Sequence, residues 1–157
     1  MTDAAPSLAE LLEQDHRRLD DLFGAFLAAG DRESAARAIG EFDEALRRHT
    51  RLEEEFLFPR ERGEKLVASD TETDRERLGR ELALEHVQIR ELSGMIVRQL
   101  GPGGDPRGVP GLAASLARRW DAHTSREEGD AFPAALRSLD AAAESALRGE
   151  LERPGRG

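Results

Sequence analysis

The residues of this chain best suited to chemistry are its four histidines and two of its glutamates. His16, His49, His86 and His123 are all the histidines in 157 residues, and Glu53 and Glu127 follow the second and fourth by four positions. Residues four apart on a helix lie on one face with Cβ atoms ~6 Å apart, so each His-x-x-x-Glu pair projects an imidazole and a carboxylate together. Residues 49–59 repeat as residues 123–133, with identity at His, Thr, both Glu, Phe and Pro. Such a repeat predicts two equivalent halves facing one centre, the ligand set of a metal pair. Neutral imidazole nitrogen and carboxylate oxygen suit iron, manganese or zinc. Two carboxylates able to bridge and four terminal nitrogens favour two six-coordinate ions, for which iron is the first choice and zinc or manganese the lesser ones.

The elements that must carry these side chains are helices. Ala, Leu, Glu and Arg dominate, tyrosine is absent and β-branched residues are few and scattered, which predicts an all-α chain. Four apolar stripes recur at three- and four-residue steps. The first runs Leu8, Leu12, His16, Leu19, Phe23, Phe26, and the second Ile39, Phe42, Leu46, His49, Glu53, Phe56. The third reads Leu78, Leu82, His86, Ile89, Leu92, Ile96, Leu100, and the fourth Ala113, Leu116, Trp120, His123, Glu127. The polar residues therefore fall on the buried faces. A single histidine on an apolar face is ordinarily a hydrogen-bonded core residue; six polar groups on such faces are another matter. An ionised carboxylate buried without a partner costs several kcal/mol, a penalty that two cations would remove.

Spacing tests whether the four rings can meet. From His16 to the first turn is about 13 residues, and from there to His49 about 17. The arms around the second loop are about 14 and 12, and those around the glycine-rich turn about 15 and 12. At ~1.5 Å per residue all four rings fall within about one helical turn of a common level on antiparallel helices.

Breaks between the stripes are expected at Gly30-Asp31, with Asp31 as an N-cap, over a polar stretch from Gly63 to Asp74, and from Gly101 through Gly111. The segment from Leu136 to Leu151 could form a fifth short helix packed on the bundle. The expectation is one domain over residues 1–152, with residues 153–157 a disordered tail.

Composition narrows function. With no cysteine, thiolate sites and thiol catalysis are excluded. A net charge of −9 repels phosphate backbones, so no nucleic-acid partner is expected. No apolar stretch approaches the ~20 residues of a membrane span, and residues 1–12 lack a basic segment followed by an apolar run. A soluble cytoplasmic protein without membrane attachment is the expectation, its protein partner undetermined. Glu54, Glu55, Glu61, Glu64 and Glu128 read as a solvated face, with Glu54 close enough to serve as an alternative ligand. Trp120, Phe23, Phe42, Phe56 and Ile89 are expected to wall the site, and Pro59 and Pro133 to end or kink their helices.

Ferritin-like carboxylate bundles need Glu-x-x-His on two helices plus a glutamate from each of the other two. Here only Glu13-Gln14-Asp15-His16 has that spacing, and it has no mate. The histidine-rich set with His-x-x-x-Glu, followed by Phe58-Pro59 and Phe132-Pro133, instead resembles the hemerythrin-like, or HHE cation-binding, family over about residues 8–139. That resemblance implies an up-down-up-down four-helix bundle around a non-haem di-iron centre. His16 and His49 would hold one iron, His86 and His123 the other, with Glu53 and Glu127 bridging and an oxo or hydroxo oxygen as third bridge. Each iron is then one position short of six. The family's respiratory carriers add a fifth histidine one turn from the third-helix ligand, where this chain has Leu82 and Arg90. The carriers' asymmetric site is not reproduced, which counts against simple oxygen transport; the resemblance implies binding of oxygen or a related diatomic ligand for sensing, storage or delivery. The alternative is an enzyme acting on peroxide or nitric oxide, or handling iron, under oxidative or nitrosative stress. A third reading is an iron-dependent interaction protein.

Overall fold

The computed structural model describes residues 4–59 and 68–153. Four long helices carry the fold: α1 (Leu8–Ala28), α2 (Arg32–Leu52), α3 (Asp74–Leu100) and α4 (Val109–Arg126). Two π-helical turns, Glu53–Leu57 and Glu127–Ala131, continue α2 and α4, and two short helices follow, α5 (Phe132–Leu136) and α6 (Ala141–Glu152). No strand occurs among the described residues, as the composition predicted. α1 and α3 begin with capping boxes, Ser7 with Glu10 and Thr73 with Glu76, while Asp31 caps α2 by accepting from the Ser34 amide at 2.8 Å. Each cap satisfies amides that a helix start leaves free.

Cross-helix pairs fix the directions. His16 meets His49 and Phe23 meets Phe42; Thr50 meets Arg90 and Asp43 meets Ser93. Glu85 meets His123 and Glu81 meets Arg126, while Trp120 meets Asp20 and Glu128 meets His16. In each helix pair one number rises as the other falls, so neighbours are antiparallel and the last long helix closes on the first. The result is an up-down-up-down bundle with all four rings at one level.

That level divides the interior into two apolar halves. On one side Leu19, Phe23, Phe42, Leu46, Ile89, Ile96, Leu116 and Trp120 form one cluster; on the other Leu12, Leu52, Leu57, Phe58, Leu82, Phe132 and Leu147 form a second. α6 closes the second half, burying Leu147, with Arg148 donating to the Pro6 carbonyl and Arg48 to that of Glu150. It starts at Ala141, capped by Asp140, whose side chain accepts from the Ala143 amide, and not at Leu136. α4 likewise starts before Gly111, through a 3₁₀ turn at Pro106–Gly108. Residues 60–67, and with them Gly63, Glu61 and Glu64, lie outside the described residues, as does the tail beyond Arg153.

The turn after α3 is closed by Arg32, whose guanidinium donates to the carbonyls of Leu100, Gln99, Gly101 and Gly104. A Cβ on Gly104 would collide with the backbone oxygens of Arg98 and Gln99. Gly104→Ala is therefore expected to destabilise the fold by about 1–3 kcal/mol in urea unfolding. Gly108→Ala, whose Cβ meets nothing within 4 Å, should leave the midpoint nearly unmoved. No described helix is long and apolar enough to cross a membrane.

Candidate metal centre

All six residues singled out by spacing converge, each no more than 1 % exposed. They form two overlapping donor groups, His16–His49–Glu53–Glu127 and Glu53–His86–His123–Glu127, whose donor atoms lie within 4.8 Å of one another in each group. Both glutamates belong to both groups. The Glu53 carboxylate spans the halves, with Oε1 2.8 Å from His49 Nε2 and Oε2 3.0 Å from His86 Nε2. Glu127 Oε1 lies 2.6 Å from His123 Nε2 and 3.5 Å from His16 Nε2.

The glutamates reach this layer from the first residue of each π turn. Phe58 N–H donates to the Glu53 carbonyl at 2.8 Å, an i to i−5 bond, so the turn is wider than in an α-helix. This widening alters the stripe beyond Glu53: Leu57 and Phe58 are buried, whereas Phe56 is only half-buried and packs in the second cluster. Phe56 is thus not part of a common wall with Trp120, Phe23, Phe42 and Ile89, which lie in the first cluster. Phe132 covers the opposite side, stacked on His16 with centroids 5.3 Å apart. In the fourth helix the π turn is the interruption, and Pro133 sits in the first turn of α5.

Four further carboxylates hold the rings from behind. His49 Nδ1 lies 2.7 Å from Asp15, His16 Nδ1 2.8 Å from Glu128, His86 Nδ1 2.8 Å from Glu54 and His123 Nδ1 2.7 Å from Glu85. A carboxylate only accepts, so each Nδ1 carries the hydrogen and each Nε2 is left to present its lone pair inward. Glu54 and Glu128 are therefore not merely a solvated face, and Glu54 holds the back of a ring instead of facing the centre. Asp15 and Glu85 escaped spacing analysis because their partners lie on neighbouring helices. A signal does exist: an acid immediately precedes His16 and His86, and an acid immediately follows Glu53 and Glu127.

The donor set fits cations better than it fits itself. Both oxygens of Glu53 and of Glu127, with Nε2 of His86 and His123, are buried without a hydrogen-bond partner. His16 Nε2 and His49 Nε2 stand 3.1 Å apart, within hydrogen-bond distance of each other and close enough to serve one cation together. Without cations, protons fill the role. Burial lowers the basicity of His16, but the Glu127 and Glu53 carboxylates facing it outweigh this and raise its pKa to about 9. His123 is likewise raised to about 9 against the effect of burial, by Glu127 and Glu85.

The sign of the pH dependence follows. Both groups titrate near 6.5 when unfolded, so their stabilising contribution to the metal-free fold is complete below pH ~6.5 and lost as pH rises through about 9. Cations must displace the same protons, so their affinity rises across that window. We expect the melting temperature of metal-free protein to fall between pH 6.5 and 9 while the increment conferred by added metal grows, as scanning calorimetry would register. A constant increment would contradict this.

Fold and site together define an antiparallel helical bundle with a buried histidine and carboxylate cluster suited to metal cations. The chain belongs to the hemerythrin HHE cation-binding domain family, which it matches over residues 7–135. No curated protein and no solved structure matches it significantly.

Proposed function

We propose that this protein is a non-haem di-iron protein that binds oxygen or a related small ligand for sensing, storage or delivery. The observation that carries this reading is the pair of donor groups sharing Glu53 and Glu127. His16 and His49 would hold one ion, His86 and His123 the other, and the two glutamates both. The nitrogen and oxygen donors, with two carboxylates available to both ions, support iron, with manganese or zinc less favoured. The bound ions would supply redox chemistry and an open position for a small ligand. The chain's own part is to orient six donors, hold each Nδ1 hydrogen on a carboxylate and keep the layer dry between two apolar clusters.

Two features support an open position. Leu82 is fully buried and apolar, and Arg90, engaged with Thr50 and Glu54, has no lone pair to offer. A cleft of about 240 Å³ between α3 and α4, lined by Ile89, Ala122 and His123 and by the polar Glu85, Gln88, Arg119 and Arg126, leaves room for small molecules at the outer edge of the His123 ring. The same cleft lends weight to the second reading, turnover of peroxide or nitric oxide in stress. Ferrous protein that takes up oxygen and releases it unchanged on evacuation supports the binding function. Sustained peroxide consumption abolished by His86→Ala supports the enzyme. A cytoplasmic setting belongs to the same proposal and is tested by cell fractionation.

A further inference from the structure

The two halves of the layer carry the same donors but different outer charges. The repeat relates α1 to α3 and α2 to α4, so His16 corresponds to His86, His49 to His123, Asp15 to Glu85 and Glu128 to Glu54. In the second half both outer carboxylates are engaged by arginine. Arg126 lies 2.6 Å from the Glu85 oxygen not used by His123, and Arg90 lies 3.4 Å from the Glu54 oxygen that accepts from His86. In the first half Asp15 feels the charges of Arg48 and Arg18, of which only Arg18 comes as close as 4.0 Å, and Glu128 has His16 as its only ion-pair partner among the described residues. Sequence position accounts for the difference: Arg126 is matched by Leu52, and Arg90 by Asp20, an acid bonded to Trp120 at 2.7 Å.

A carboxylate that accepts from imidazole Nδ1 strengthens Nε2 as a donor, because negative charge behind the ring stabilises the positive charge in front of it. A guanidinium on the same carboxylate draws that charge away and adds its own positive charge beside the site. His86 and His123 are thus weakened donors, whereas behind His16 and His49 the arginines stand farther off, Arg18 and Arg48 acting on Asp15 from 4.0 Å or more and none pairing with Glu128 among the described residues. The surroundings differ too: the cleft between α3 and α4 touches the outer edge of His123 beside Glu85 and Arg126, while the cavity of about 250 Å³ by α1 and α6 is lined by Asp15 and has no histidine in its lining.

We propose that the two cation positions are inequivalent, the His16/His49 half filling first and retaining its ion, the His86/His123 half holding a weaker, exchangeable one under the control of Arg90 and Arg126. This inference rests on the metal-binding reading above.

The test is calorimetric titration of the metal-free full-length chain with Mn²⁺, alongside circular dichroism to check folding. Wild type should bind two ions in steps separated by at least ~10-fold in affinity, and Arg90→Gln with Arg126→Gln should tighten the weaker step ~10-fold while leaving the stronger one unchanged. His16→Ala should remove the tight step and His86→Ala the weak one. Loss of the tight step in His86→Ala overturns the assignment, and so do two steps indifferent to the arginine substitutions. Two ions bound with one affinity overturn the inequivalence but leave the metal reading standing; no uptake at all overturns both. Should the histidine variants fail to fold, the arginine pair decides alone, since both side chains are only partly buried and lie outside the apolar clusters.

Discussion

Stripping iron from loaded protein with a chelator is expected to lower its melting temperature by about 15–30 °C. The cause is the set of buried donors without partners, in particular the four oxygens of Glu53 and Glu127, each inaccessible to solvent. An ion present at ~1,000 times its dissociation constant stabilises the fold by ~4 kcal/mol, so two contribute ~8 kcal/mol. For a domain of this size one kcal/mol moves the midpoint by about 2–4 °C, which gives the range stated. The metal-free bundle should still fold, because both apolar clusters are complete without the layer and the raised histidines partly neutralise the carboxylates. Coincident melting curves before and after chelation would remove the main physical support for a metal centre.

The second large effect concerns which substitution removes how many ions. Glu53 belongs to both donor groups, whereas His86 belongs to one. Glu53→Ala with Glu127→Ala should therefore reduce binding from about two ions per chain to well under one, while His86→Ala should leave about one. Elemental analysis after aerobic reconstitution measures the difference. Equal losses would mean that the carboxylates are not shared. Glu54→Gln provides a contrast: Glu54 meets the back of His86 at 2.8 Å and Arg90 at 3.4 Å but not the centre, and its loss should weaken binding ~10–100-fold without changing the number of sites.

Much of this site was legible in sequence because it rests on short-range periodicity. His-x-x-x-Glu spacing places two groups on one helical face whatever the rest of the chain does, and the distance from each histidine to its turn brings the rings to one level. The helices, the Asp31 cap and the burial of His16, His49, His86 and His123 all follow from local patterns. Local patterns did not reveal the π turns. An i to i−5 bond has little sequence signature, and the widened turns determine that Leu57 and Phe58 face inward in place of Phe56.

The sequence by itself determined the helical class, the six inward polar residues and their twofold repetition. Only the tertiary structure decided which carboxylate stands behind which ring, since Asp15 serves His49 and Glu128 serves His16 across helices 34 and 112 residues apart in sequence. It also decided that Arg90 and Arg126 engage one half of a layer whose donors repeat. The physical reason is the same in each case. Helical periodicity specifies the face on which a side chain lies, but the group it meets depends on the rotation and closure of neighbouring helices, which packing of the whole bundle sets.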